Sequence, residues 1–160
     1  MDVAALILWI LTAGGGFYLL ATWIANGGAR RTDTGTGSNF PAPLIFGHML
    51  LAAAGLIVWI AYLASDSDAA GWIAFTLLAV VALLGFTMFA KWIPTYRAAQ
   101  AAPGRVTARA APSAPPASTS TSVTGPAERH FPLPIVIGHG LLAATTLVLV
   151  LLTMLGVGGS

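Results

Sequence analysis

Four stretches of the chain, residues 3–24, 44–64, 71–90 and 135–157, are almost continuously apolar and carry no Asp, Glu, Lys or Arg. A helix rising about 1.5 Å per residue crosses about 30 Å of hydrocarbon in roughly 20 residues, and each stretch reaches that length. The apolar positions run all round the helix instead of forming one stripe, which is the pattern of a segment bathed in lipid. Backbone in lipid must satisfy its own hydrogen bonds, and runs this long and uniform suit helices rather than barrel strands. The fold predicted is an all-α integral membrane protein with four transmembrane helices.

Polar segments separate these runs. Residues 26–38 are rich in Gly, Thr and Arg, and residues 98–127 consist almost wholly of Ala, Pro, Ser, Thr, Gly and Val with two arginines. The second has no apolar face to bury and is predicted to be a disordered tether. The organisation expected is a first two-helix unit over residues 1–64, an outer turn with the third span over 65–97, a disordered linker over 98–129 and the fourth span over 130–160. The first run lacks a basic leader and a clear A-x-A site, so it is expected to be a retained span instead of a signal peptide.

Charge adds topology. Among 160 residues 57% are hydrophobic and 8% charged, against about 25% charged in an ordinary soluble domain. All seven basic residues follow spans 1 and 3 or end span 3, whereas Asp2, Asp66 and Asp68 lie at the opposite ends of the spans. Basic loops stay on the cytoplasmic side, so both termini are expected on the non-cytoplasmic side, the membrane expected being a bacterial plasma membrane. Trp23, Trp92 and Tyr96 are expected as interfacial aromatics near the basic face, and Tyr62 and Trp72 near the other. With no cysteine, disulfides, Fe–S ligation and thiol chemistry are excluded. Neither Gly-rich loop has phosphate-loop spacing, and no nucleic-acid partner is expected.

The chain repeats itself. Asn39-Phe-Pro-Ala-Pro-Leu-Ile-Phe-Gly-His48 aligns with His130-Phe-Pro-Leu-Pro-Ile-Val-Ile-Gly-His139, and the match continues through Ala52 and Ala143. Gly16-Phe17 and Ala21-Thr22-Trp23-Ile24 likewise align with Gly85-Phe86 and Ala90-Lys91-Trp92-Ile93. The reading is a pair of tandem helical hairpins forming a parallel internal repeat, related by a twofold along the membrane normal, with spans 2 and 4 neighbours at the centre. Pro43 and Pro134 suit the first turn of a helix. His48 and His139 then lie five residues further in, about 7.5 Å along the axis at about 1.5 Å per residue.

Two readings of this pair stay open. In one, His48 and His139 are the axial ligands of a single b-type haem, with Arg30, Arg31, Lys91 and Arg129 pairing with its propionates. The chain is then a small redox subunit exchanging electrons with quinone or a partner enzyme. In the other, each histidine hydrogen-bonds a neighbouring helix, as duplication would copy automatically, and the chain is a non-catalytic subunit or scaffold within a larger membrane complex. The Gly14-Gly15-Gly16 run is read first as close helix packing. A zinc site is disfavoured because only His130 offers a third nitrogen. Spans without carboxylate, lysine or cysteine also disfavour a hydrolase, a proton-coupled pump and a cation channel.

Overall fold

The computed structural model describes residues 1–30, 37–101 and 125–157. These form four long helices and one short 3₁₀ turn: α1 (Asp2–Ala25), α2 (Ala42–Ser65), α3 (Asp68–Ala101), η1 (Ala127–His130) and α4 (Leu133–Met154). All four α-helices are long and apolar enough to cross a membrane. Their outward faces stay apolar: Leu50, Ile57, Leu83, Phe86 and Leu141 are all exposed. Water would not tolerate so continuous an apolar exterior on a monomer.

Local chemistry sets the helix boundaries. Pro41 and Pro132 occupy the N-cap positions of α2 and α4, and Pro43 and Pro134 fall in the first turn, where a missing N–H has no intrahelical partner to lose. The chain leaves α2 through Asp66 in the left-handed region at φ 50°, and the Asp66 N–H closes on the Tyr62 carbonyl. That tight turn lets α3 begin two residues later, with Asp68 in its first turn near the positive end of the helix dipole.

The helices run alternately up and down. Around the bundle α1 touches α4, α4 touches α3, α3 touches α2 and α2 touches α1, whereas no Cα pair from α2 and α4, or from α1 and α3, comes within 8 Å. Spans 2 and 4 are therefore diagonal, not adjacent as expected, and meet only through side chains. At the end carrying Asp2, Asp66 and Asp68, the core comprises Ala5, Trp9, Trp59, Ala74, Leu78 and Val150. Trp9 reaches it because Gly55 is bare, since a Cβ there would stand 3.1 Å from Trp9 Cζ2.

At the basic end the structure departs from the expected linker. Residues 98–101 continue α3, and residues 125–129 pack on the bundle with Ala127 and Glu128 fully buried. Residues 102–124, the bulk of the tether, lie outside the described residues. Trp23 and Trp92 are also not interfacial anchors, being 1% and 3% exposed. The Trp23 indole N–H donates to Ser38 Oγ (2.8 Å), and that of Trp92 to the Glu128 carbonyl (3.1 Å). An indole whose N–H finds an internal acceptor can be buried whole.

Candidate functional site

His48 lies six positions into α2 from Ala42, and His139 lies six positions into α4 from Leu133, which carries both imidazoles inward. The two rings come together across the diagonal with centroids 6.3 Å apart and planes inclined by 58°. Each is half-buried. Helices whose backbones do not touch thus meet through two histidines.

Each ring is held from a side helix. Nδ1 of His48 lies 3.0 Å from the Val81 carbonyl of α3, and Nδ1 of His139 lies 2.9 Å from the Thr12 carbonyl of α1. A carbonyl only accepts, so Nδ1 carries the proton in both rings and Nε2 presents a lone pair. In an α-helix those carbonyls already accept the N–H four residues on, from Gly85 and Gly16. A carbonyl has a second lone pair, but the side chain four residues on normally stands over it. Glycine removes that obstruction. A Cβ at Gly85 would stand 3.2 Å from His48 Cε1, and one at Gly16 would stand 3.1 Å from His139 Cε1. Gly15 also faces His139, at 3.5 Å, whereas Gly14 faces nothing within 4 Å. The glycine run of α1 is therefore a seat for a histidine along two of its three members.

Among the described residues, no hydrogen bond reaches Nε2 of either ring, and no enclosed side-chain nitrogen or oxygen lacks a partner. Each Nε2 therefore keeps accessible surface. If His48 and His139 held one metal through Nε2 at about 2 Å per bond, a length taken from zinc–imidazole bonds, with about 1.1 Å from nitrogen to ring centre, their ring centres would stand about 6 Å apart. The observed spacing falls there. A tautomer fixed by Nδ1–H donation to a carbonyl is the usual arrangement behind a metal-bound imidazole. The donor set suits a group that brings its own equatorial ligands, as a porphyrin does. Among the described residues no cluster of three or more His, Cys, Asp or Glu side chains could hold a bare ion.

The basic candidates divide. Arg30, Lys91 and Arg129 are exposed at the end of the bundle nearer the histidines, and Arg31 lies outside the described residues. Lys91 lines an open groove of about 720 Å³ with Asn39, Phe86, Thr87 and Thr95 among its other walls. His130 stands apart from the pair, its Nδ1 lying 3.2 Å from the Ala127 carbonyl.

Sequence reasoning missed Glu128. It is fully buried, accepts the Asn39 backbone N–H on one carboxylate oxygen, and takes the Ser38 hydroxyl at 3.0 Å on the other. Its one sequence signal was an isolated acid at the close of a Pro/Ala/Ser-rich stretch whose other charges are arginines. No family model, curated protein or solved structure matches the chain.

Proposed function

We propose that the chain is a multi-pass membrane redox subunit, built from a duplicated two-span unit, that holds one b-type haem between His48 and His139. The observation that carries this reading is the 6.3 Å spacing of two imidazoles whose Nδ1 atoms are already committed to backbone carbonyls. Bound there, the iron would take up and release single electrons, and the protein's part is to fix both ligands and exclude water. Thr12 and Val81 orient the rings and keep Nε2 deprotonated. Gly16 and Gly85 let the rings approach. Arg30, Arg31, Lys91 and Arg129 are the propionate partners proposed at the basic end, which the positive-inside rule assigns to the cytoplasm. The electron partner proposed is quinone or a neighbouring enzyme.

Duplication is supported by the equivalence of these contacts. Thr12 and Val81 each precede by four residues the glycines that align between the two halves, and each histidine bonds the first helix of the other half, His139 reaching α1 and His48 reaching α3.

The same hydrogen bonds favour a second reading, in which the histidines only lock helices and the chain is a non-catalytic subunit of a larger membrane complex. One spectrum separates the two. Protein made in a haem-sufficient host and purified in detergent should give the reduced-minus-oxidised spectrum of a six-coordinate b-type centre. Protein that stays colourless after haem is added would leave the packing subunit.

A further inference from the structure

Beyond the histidines, the largest buried polar assembly among the described residues lies where the two returning segments enter α2 and α4. Glu128 is fully enclosed, and both oxygens of its carboxylate are spent on the other segment, on the Asn39 N–H and the Ser38 hydroxyl. The Ala127 N–H adds a bond to the Gly37 carbonyl at 3.1 Å. Two tryptophans moor this knot to the remaining helices: Trp23 of α1 donates to Ser38 Oγ and Trp92 of α3 to the Glu128 carbonyl. Immediately beyond it Phe40 and Phe131 pack together with ring centroids 6.2 Å apart.

We infer that Glu128 is a positioning residue that sets the axial register of α2 against α4 and so holds His48 and His139 at one depth. The inference rests on the haem reading for its consequence, but not for its geometry. No Cα pair of α2 and α4 comes within 8 Å, so close backbone packing does not fix their relative height. The side helices, the few side chains that meet across the diagonal and a tie between the helix ends set it. Glu128 supplies that tie, ten residues from Ser38 to His48 on one side and eleven to His139 on the other. A helix is stiff along its axis, so a slip of one residue at the knot displaces a histidine by about 1.5 Å. Metal–ligand distances tolerate about 0.2 Å. A carboxylate suits the task because it accepts at several sites at once, and a buried one that loses its donors is strongly penalised.

The test uses the full chain in detergent, as wild type and with Glu128→Ala, Glu128→Gln and Ser38→Ala, read in two ways. Nitroxide labels at Leu50→Cys and Leu141→Cys, both exposed positions on α2 and α4, report the inter-helix distance by pulsed electron resonance. Haem loading and spin state report the ligands. Glu128→Ala should broaden or shift the label distance, lower haem retention several-fold and turn part of the remainder from six-coordinate low-spin to five-coordinate high-spin. Glu128→Gln keeps an acceptor for Asn39 and should retain most six-coordinate haem. Should Glu128→Ala fail to fold, Ser38→Ala carries the comparison and should show the same changes in weaker form. In Glu128→Ala, an unchanged distance distribution, or a low-spin spectrum at full loading like that of the wild type, overturns the positioning role. A colourless wild type whose label distance still shifts in Glu128→Ala leaves the register role standing and removes the haem reading alone.

Discussion

Three consecutive glycines in α1 should respond differently to the same substitution. At Gly16 an added Cβ would stand 3.1 Å from His139 Cε1, whereas ordinary contact begins at 3.4 Å, so the ring must retreat by about three tenths of an ångström. It cannot do so freely, because Nδ1 is bound to the Thr12 carbonyl at 2.9 Å on the same helix that is pushing. Overpacking of this kind costs about 1–3 kcal/mol. At Gly15 the nearest ring atom is 3.5 Å away, an ordinary contact, and at Gly14 there is nothing within 4 Å. Replacing a mid-helix glycine by alanine recovers about 0.5–1 kcal/mol of backbone entropy where space allows. Gly14→Ala should therefore be neutral to slightly stabilising and Gly15→Ala close to neutral. Gly16→Ala should lower thermal stability by a few degrees and disturb the haem spectrum. Gly85→Ala should match Gly16→Ala, since its Cβ would meet His48 Cε1 at 3.2 Å. The assay is detergent thermostability by size-exclusion fluorescence with the reduced-minus-oxidised spectrum of the same samples. Equal damage from Gly14→Ala and Gly16→Ala, or a neutral Gly16→Ala, would refute the seat.

The remaining expectations are briefer. His48→Ala and His139→Ala should each abolish or strongly alter the haem spectrum while the protein still inserts, and His130→Ala should leave it intact; loss of colour in His130→Ala would move the site. Single cysteines at Ser67 and Ser113 should label from opposite sides of the membrane, Ser67 from the non-cytoplasmic one; labelling from one side would contradict the four-span topology. Trp59 is fully buried, stacks on Tyr62 at 4.7 Å and donates to the Asp2 carbonyl at 3.4 Å. Trp59→Ala should cost about 3–5 kcal/mol of stability without moving the haem absorption, because this core lies at the other end of the bundle; a spectral change equal to that of Gly16→Ala would show that the two ends are coupled.

The number of helices was legible in the chain because hydrocarbon imposes a length, and the uninterrupted apolar runs state it. The far end of α3 was not. Lys91, Pro94, Arg97 and Gln100 interrupt the apolar run, so an apolar window stops at Ala90, yet the helix carries Pro94 within it and continues to Ala101. The pairing of His48 with His139 could be anticipated from the aligned phrase. Their partners could not, since the acceptors at Thr12 and Val81 are backbone carbonyls, which any residue provides. The readable trace is the glycine four positions later, visible in the alignment as Gly16 and Gly85, although the run containing Gly16 reads first as close helix packing. Trp23 and Trp92, read as interfacial, are buried instead, because composition cannot tell an interfacial indole from a buried one whose acceptor lies on a distant segment. Glu128 gave still less: Ser38, which it grips, is 90 positions away in sequence.

Packing and ligation make different demands on a histidine, and the two ring nitrogens separate them. A helix lock needs one donor, and Nδ1–H to a bare carbonyl provides it in both halves. Had that been the whole requirement, the second nitrogen would be a burden, since an acceptor without a partner at hydrocarbon depth costs about 1–3 kcal/mol. A serine or threonine hydroxyl would serve the same carbonyl without that burden. Threonines in these helices satisfy themselves within the helix, as Thr12 does on Leu8 and Thr146 on Leu142. The chain instead keeps imidazole at both positions, seats each on glycine and brings the two rings to a separation that one metal centre could bridge. A lock accounts for Nδ1 and for the glycines; the convergence of the two histidines across a diagonal where no backbone contact requires it is what the proposed shared ligand pair would add.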